Sequence, residues 1–589
     1  MQFQSVPELF FNACSRFDRK NAVLIPGDDE VPRAYSHRFF RQRVCMFARG
    51  LLALGVGVGD RVALWSPSRF EWQIADLAVA AVGAVSVPLY VGVPFEETDY
   101  ILQQTEPVAA VVGHADQAES LGRDAASAPR HIIVMDDTPG DAWLTMDAVE
   151  IAGSREDNEL LLISLWQGRL PRDLLTIVYS GGTQGRPRGI QLTHGNVLAN
   201  IQSCGGLMPL SAEDVCLSHL QPANIFERVI GLYLMLTHGV CIAYGGSPAA
   251  LKALLPRVKP TLLVSMPAVY QKFYVSLTRE IQQAGFIKRN AAQLAFDLGK
   301  EVAPLLARGE ALGAWRSRKL KLARRMVFDP LLENFGGRLR LVVCGGGSLP
   351  SEVADMLAAL GLTLIDGYGL SEASPVLTIN PPDRRRAGTV GVPVEGVSLR
   401  IADDGEIQAH GENIMLGYFG DEAATAAVLR DGWLSTGDIG HIDDQGYLRL
   451  TDSKTDVFCL ASGQQVPPGP LEASLRECPF IEQVAVIGEG RPFICALIVP
   501  AWDVVDVFVK REHPGAAPEQ AIEDPALIQA VAKEIEARSR HVVHTERIQA
   551  FRLLAEPLSV AAGELTPSLK IKRAVVAQRY QALIDEMYA

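Results

Sequence analysis

Through its first half the chain alternates short apolar runs with longer helix-like stretches. That alternation restricts it to parallel sheets covered on both faces by helices. The apolar runs stand at residues 61–65, 86–89, 109–112, 131–135, 174–179, 262–265, 339–344 and 362–366. Between the early runs, residues 39–54 are amphipathic at helical spacing and stop at Gly55, and 70–84 form an apolar helix. Residues 271–332 break the rhythm, being helix-rich with a basic cluster of Arg316, Arg318, Lys319, Lys321, Arg324 and Arg325. From Gly388 to about Leu450 the pattern turns to short strands and glycine turns, as in a small barrel or antiparallel layer. After Thr451 a second, smaller α+β domain begins and runs to Ala589. The expected domains are therefore 1–451 and 452–589, since 589 residues exceed one ordinary core.

The net charge of -13 argues against nucleic acid as a partner, because phosphate binding needs a basic face. Small anions are still within reach of backbone N–H groups and a few local cations. The nine cysteines include no CxxC pair, so zinc and redox motifs are unsupported, and their odd number suits a reducing compartment. Met1-Gln2-Phe3-Gln4 has no charged stretch followed by an apolar one, so no signal peptide is read. The longest apolar run, 229–244, is interrupted by Thr237 and His238 and is too short to span a bilayer. The expectation is a cytoplasmic protein that touches membranes only from outside.

The strongest local signal is the loop Tyr179-Ser180-Gly181-Gly182-Thr183-Gln184-Gly185-Arg186-Pro187-Arg188-Gly189, which an apolar strand feeds directly. Its glycines let the backbone turn tightly and aim N–H groups at an anion. Ser180 and Thr183 add hydroxyl donors, and Arg188 adds a fixed charge able to hold phosphate through two parallel bonds. No Gly-Lys-Ser/Thr closes the loop, so it is not a Walker loop. Gly55-x-Gly57-x-Gly59 precedes a strand instead of following one, which excludes a dinucleotide fingerprint.

At the 179–189 loop the sequence resembles the adenylate-forming superfamily of acyl-CoA synthetases, luciferases and peptide-synthetase adenylation domains. The family loop reads Tyr-Thr-Ser-Gly-Thr-Thr-Gly-x-Pro-Lys-Gly, and Leu192-Thr193-His194-Gly195-Asn196 continues the likeness. Further on, Asp366-Gly367-Tyr368-Gly369-Leu370-Ser371-Glu372 is similar to its Tyr-Gly-x-Thr-Glu element. Gly345-Gly346-Gly347-Ser348 looks like its adenine-side glycines, and Gly432 to Asp438 like its Gly-Trp-x-x-Thr-Gly-Asp, preceded by Met415-Leu416-Gly417-Tyr418. Glu564-Leu565-Thr566-Pro567-Ser568-Leu569-Lys570 resembles the long-chain version of its catalytic-lysine motif. Two features resemble the long-chain branch in particular: Phe226-Glu227-Arg228 and the helical insertion 271–332.

The resemblance implies an α/β adenylate-forming fold. A large N-terminal domain of two α/β sheet subdomains and a small β-barrel-like one would be joined to a mobile α+β C-terminal domain. It implies activation of a long-chain fatty acid through an acyl-adenylate, with ATP, Mg2+ and coenzyme A. Lys570, Glu372 and Arg188 would be catalytic, and Glu372 and Thr183 would hold the metal. Nucleotide would be bound by Ser180, Gly181, Gly182, Thr183, Gln184, Gly185, Gly346, Gly347, Ser348, Asp366, Gly367, Tyr368, Gly369, Ser371, Asp438, Ser453 and Lys454. Asn224, Phe226 and Gly463 would face the acyl and pantetheine groups. Where this chain departs from the family it has Gly181 for serine, Gln184 for threonine, Arg188 for lysine, Asn224 for histidine, Ala268 for arginine and Ser453 for the hinge arginine. Two alternatives stay open: a ligase that delivers to an acyl carrier protein, and a degenerate homologue that binds nucleotide or acyl ligand without efficient turnover. The basic 316–325 segment is a candidate for peripheral membrane contact.

Overall fold

The computed structural model describes the chain except residues 1–2, 28–30, 123–127, 137–142, 181–185, 248–249, 309, 348, 455–456, 477, 479, 503–504, 506–521 and 540–546, and the side chains of residues 307, 452, 453 and 539. Among the described residues the alternating pattern becomes two large sheets. One runs in the order Gly417–Tyr418, Arg188–Thr193, Leu174–Ser180, Val85–Leu89, Arg61–Trp65, Ala109–Val112, His131–Val134, Leu144–Thr145. The other runs Val392–Pro393, Val376–Ile379, Thr363–Gly369, Leu341–Cys344, Leu262–Ser265, Val215–Ser218, Cys241–Tyr244, Val23–Ile25, Arg33–Tyr35. Central strands pair in parallel, while Arg188–Thr193 and Val376–Ile379 turn back antiparallel.

Successive residues of a strand point to opposite faces, so each central strand feeds two cores at once. Val62 and Leu64 share one core with Val264, Val343 and Ile365 of the other sheet. Their neighbours Ala63 and Trp65 face a separate outer core, and Leu263 and Val342 face another. This is why the runs read as continuously apolar. The helix Phe70–Val82 lies in the shared core and is buried at every position but Glu71, which matches its lack of a polar stripe.

One charged cluster crosses that shared core. Arg228, fully buried, bonds both oxygens of Asp76, at 2.5 and 3.1 Å, and also reaches Thr176 at 2.8 Å and Ser86 at 2.7 Å. Arg228 sits in a single π-helical stretch, Glu227–Tyr233, and the Tyr233 hydroxyl donates to Asp76 as well. These bonds tie the segment after the Val215–Ser218 strand to the opposite sheet.

At the motif 366–372 the chain stays extended as far as Gly369. The strand Thr363–Gly369 runs through it and pairs antiparallel with Val376–Ile379. The reason is steric: a Cβ on Gly367 would sit 2.2 Å from the Thr378 carbonyl oxygen, and one on Gly369 would sit 1.9 Å from that of Pro375. Glycine is what lets the strands close here.

Residues 398–453 form an antiparallel sheet, in which Glu406–His410, Leu429–Arg430 and Leu448–Ser453 all pair with Trp433–Ile442. The C-terminal part holds its own sheet, Ile481–Ile487, Ile494–Pro500 and Ile548–Leu553. Helices Pro468–Arg476 and Pro525–Ser539 cover one face, and Arg573–Arg579 and Gln581–Tyr588 the other. Both of its cores draw only on residues between Phe458 and Tyr588. The insertion forms the helices Pro267–Gln283, Phe286–Ala307 and Ala314–Ala323, with the second packed so tightly on Ser351–Ala359 that a Cβ on Gly299 would lie 2.8 Å from that of Ala359. Among the described residues no helix is long and apolar enough to cross a membrane.

Candidate active site

The carboxyl ends of parallel strands open a crevice in sheets of this kind. Here Leu341–Cys344 ends at Gly345, beside Thr363–Gly369 with Cys344 opposite Asp366. Gly346 adopts φ +82°, a conformation open to glycine at little cost, with Met266 and Pro267 lying across Gly346 and Gly347. The next strand presents Tyr368, whose hydroxyl donates to Asp438 at 2.6 Å. Asp438 comes from the long strand Trp433–Ile442 of the small sheet and stands opposite Ser453 in register. The structure thus brings Gly346, Gly347, Gly367, Tyr368, Gly369 and Asp438 to one end of the crevice.

A second group of charges lies a few residues on. Ser371 and Glu372 form a short 3-10 turn after the strand, and Met415 donates its N–H to the Glu372 carbonyl at 2.8 Å. The Glu372 carboxylate accepts from the Tyr418 hydroxyl at 3.0 Å. Arg188 packs its guanidinium over the Tyr418 ring, 5.4 Å from the centroid, and pairs across the loop with Ser180. Burial raises the Glu372 carboxyl above its ordinary value, while the Tyr418 hydrogen bond and the charge of Lys570 pull it back. The charge of Lys570, far along the chain, thus acts on Glu372.

Lys570 is presented by a tight turn. The Thr566 N–H donates to its carbonyl at 2.7 Å, its own N–H donates to the Thr566 hydroxyl at 3.0 Å, and Leu569 beside it is left-handed at φ 62°. Lys572 anchors the turn to the large domain through an ion pair with Glu97.

On the far side of the glycine loop, Phe226 fills the space above Gly345, where a Cβ would meet its ring at 2.7 Å. Asn224 uses its side-chain oxygen to accept from the Phe226 N–H at 3.0 Å, so it caps the turn that carries the ring. Glu227 accepts from the Ser218 hydroxyl at 2.6 Å, and burial lifts its carboxyl to about 8.

Other expected residues are placed differently. Gly181, Gly182, Thr183, Gln184, Gly185 and Ser348, and the Ser453 side chain, lie outside the described residues. Asp366 accepts from Arg385 at 2.8 Å. Lys454 pairs with Asp404 at 2.5 Å and Glu406 at 2.8 Å, and Glu406 in turn accepts from Gly437, the residue before Asp438. Gly463 lies in the exposed hairpin turn between Phe458–Cys459 and Gln465–Val466. Sequence reasoning gave no role to Tyr418, although Met415-Leu416-Gly417-Tyr418 was visible, and it grouped Gly345 with the adenine-side glycines, where the structure packs the Phe226 ring over it.

No group of three or more His, Cys, Asp or Glu that could cage a metal occurs among the described residues. Magnesium keeps most of its waters and takes one or two carboxylates beside phosphate oxygens, so a single carboxylate is enough for the protein's share. Glu372, half-buried and hydrogen-bonded by the Tyr418 hydroxyl, is one such carboxylate.

Comparison with known proteins agrees with this architecture. Residues 10–419 match the AMP-binding enzyme family and residues 455–589 its C-terminal domain. The chain is 34% identical over 549 residues to the long-chain-fatty-acid–CoA ligase FadD15 of Mycobacterium bovis, spanning 92% of this chain and 90% of that protein. It is 27% identical over 654 residues to the chloroplastic long-chain-fatty-acid–acyl-carrier-protein ligase AEE15 of Arabidopsis thaliana, spanning 100% and 87%. The fold is shared with the adenylation domain of a carboxylate reductase from Mycobacterium chelonae, at a TM-score of 0.78, 19% identity, and coverage of 100% of this chain and 92% of that one. With both parts of the chain matched in order, the protein belongs to the AMP-binding enzyme family.

Proposed function

We propose that this chain joins a long-chain fatty acid to AMP from ATP and passes the acyl group to coenzyme A. The ion pair of Lys572 with Glu97 carries the reading, because it holds the turn that bears Lys570 against the large domain. Residues 1–451 bind nucleotide and acid, and 452–589 deliver the lysine. Tyr368 lies against adenine, with Gly346, Gly347 and Ser348 along its edge. A carboxylate accepts several hydrogen bonds, so Asp438 can hold the ribose hydroxyls while keeping Tyr368. Lys454, through Glu406 and Gly437, steadies Asp438. The loop from Ser180 to Gly185 and Ser371 cradle the phosphates. Glu372 and Thr183 hold magnesium, which when bound neutralises phosphate charge.

The fatty-acid carboxylate attacks the α-phosphorus, the bond to pyrophosphate breaks, and an acyl-adenylate forms. Lys570 and Arg188 stabilise the added charge, a type of stabilisation worth about 3–4 kcal/mol per donor. Phe226, positioned by Asn224, bounds the acyl site. The C-terminal part then turns, Lys570 withdraws, and the turn at Gly463 lines the pantetheine arm as its thiolate attacks the acyl carbonyl and AMP leaves. The similarity to a CoA ligase at 34% supports the acceptor over the carrier protein suggested by AEE15. We place the chain in the cytoplasm, where its nine free cysteines stay reduced, and its source of acid at a membrane met by the 316–325 segment.

The test is pyrophosphate release with ATP, magnesium and acids of graded chain length, with coenzyme A or acyl carrier protein as acceptor. Turnover that rises with chain length and needs coenzyme A is expected. Turnover on short acids alone, or with carrier protein alone, overturns the proposed substrates.

A further inference from the structure

A groove of about 430 Å3 runs between the helices Val6–Phe17 and His194–Gly205. Its size is that of a small-molecule site. It is separate from the crevice, since no residue of the nucleotide, metal or acyl groups lines it. The two helices are joined at their starts, where the Val6 N–H donates to His194 at 3.2 Å. Their ends meet the same turn: the Phe17 ring lies where a Cβ on Gly239 would sit, and His238 lies against Gly205. They therefore run side by side in one direction. The length from Gly195 to Gly205 is roughly 15 Å.

Small and apolar residues open and line this space. Leu9, Ala13 and Arg16 recur at helical spacing on the first helix, and Gly195, Ala199 and Gln202 do so on the second. The two ends differ in charge. At the far end, Arg16 rests its guanidinium over the Phe17 ring at 5.1 Å and has no ion-pair partner among the described residues. Asn12 and Gln202 add amide donors on the two walls. At the near end stands Glu412, whose carbonyl accepts from Asn196 in the first turn of the second helix at 2.7 Å.

This pattern selects a ligand. A planar guanidinium free of other partners takes an anion through two parallel bonds. One guanidinium balances the single charge of a carboxylate and not the nearly double charge of a phosphate. Glu412 repels a second anion at the other end. Between the two ends the walls offer Leu9, Ala13 and Ala199 to an apolar chain.

We propose that this groove is a second ligand site, taking an unbranched carboxylic acid with its carboxylate on Arg16 and its chain between the two helices. Such binding requires no catalysis at the crevice.

Calorimetry of the full chain with dodecanoate, held below its micelle concentration, tests it by counting sites in the parent, in Arg16→Glu and in Ala199→Phe. Arg16 is exposed, so its replacement leaves the fold alone, and an unchanged thermal midpoint without ligand checks both variants. The expected result is one bound acid fewer per chain in each variant than in the parent. Dodecan-1-ol, which keeps the chain and lacks the anion, should bind the groove about tenfold or more weakly than the acid. Equal numbers of sites in the parent and Arg16→Glu overturn the proposal. So does a groove that takes the alcohol as tightly as the acid, or dodecyl phosphate more tightly. A chain that releases no pyrophosphate yet loses one site in the variants refutes the catalytic reading and leaves the groove standing. A chain that releases pyrophosphate and loses no site does the reverse.

Discussion

Lys570 sits on a turn closed by Thr566, and the ion pair of Lys572 with Glu97 holds that turn against the large domain. Replacing Lys570 with Ala is expected to slow acyl-adenylate formation by about 10²–10³-fold with a small change in the KM for ATP. A single-turnover assay of the first half-reaction measures this directly. A second residue-scale prediction concerns Glu227. Burial lifts its carboxyl from 4.5 to about 8, against a smaller lowering by Ser218. Between those values the folded chain keeps a proton that the unfolded chain has released, so this group's contribution falls as pH rises from about 4.5 to 8. Glu227→Gln should therefore raise the thermal midpoint relative to the parent at pH 8 and not at pH 5. Burial also lowers His194 to about 3 and His219 to about 4, below the ordinary 6.5. There the unfolded chain gains the proton, so stability is lost as pH drops from 6.5 toward 4. Tyr368 and Asp438, which a hydrogen bond brings together, stand in motifs that were legible in the sequence. Tyr418, which bridges Arg188 and Glu372, was not, because its value comes from a pairing of Gly417–Tyr418 onto Arg188–Thr193 that no local pattern reports.

At the scale of elements, the apolar runs were legible because both faces of each parallel strand are buried, which removes every polar position from them. The strand Thr363–Gly369 was only half legible: glycine reads as a turn, yet here it permits backbone contact. Gly369→Ala would drive a Cβ to within 1.9 Å of a carbonyl oxygen. The expected result is displacement of Tyr368 and weaker ATP binding by calorimetry, with the far C-terminal sheet intact. The buried cluster of Asp76 and Arg228 had no local signal, since its members stand 152 residues apart. Asp76→Ala strands a buried guanidinium and should cost about 3–5 kcal/mol in denaturant unfolding.

At the scale of the molecule, the two parts of the chain have separate cores and meet through polar contacts, among them Lys572 with Glu97 and Lys272 with Glu482 at 3.6 Å. The α+β pattern after Thr451 set the expectation of a second domain; the orientation of the C-terminal part was not legible, because side chains from distant segments set it. Glu97→Lys opposes the docked arrangement. It should slow acyl-adenylate formation while leaving thioester formation from supplied acyl-adenylate near the parent rate, as two half-reaction assays would show.

The central claim is that the crevice makes an acyl-adenylate. The most direct measurement is mass spectrometry of the full chain mixed with ATP, magnesium and a long-chain acid, first without coenzyme A and then with it. The account predicts that acyl-AMP accumulates on the parent chain, is absent with Lys570→Ala, and is converted to acyl-CoA and AMP when coenzyme A is added. Acyl-CoA formed with no acyl-AMP, ADP in place of AMP, or no product from any acid despite bound ATP would contradict it.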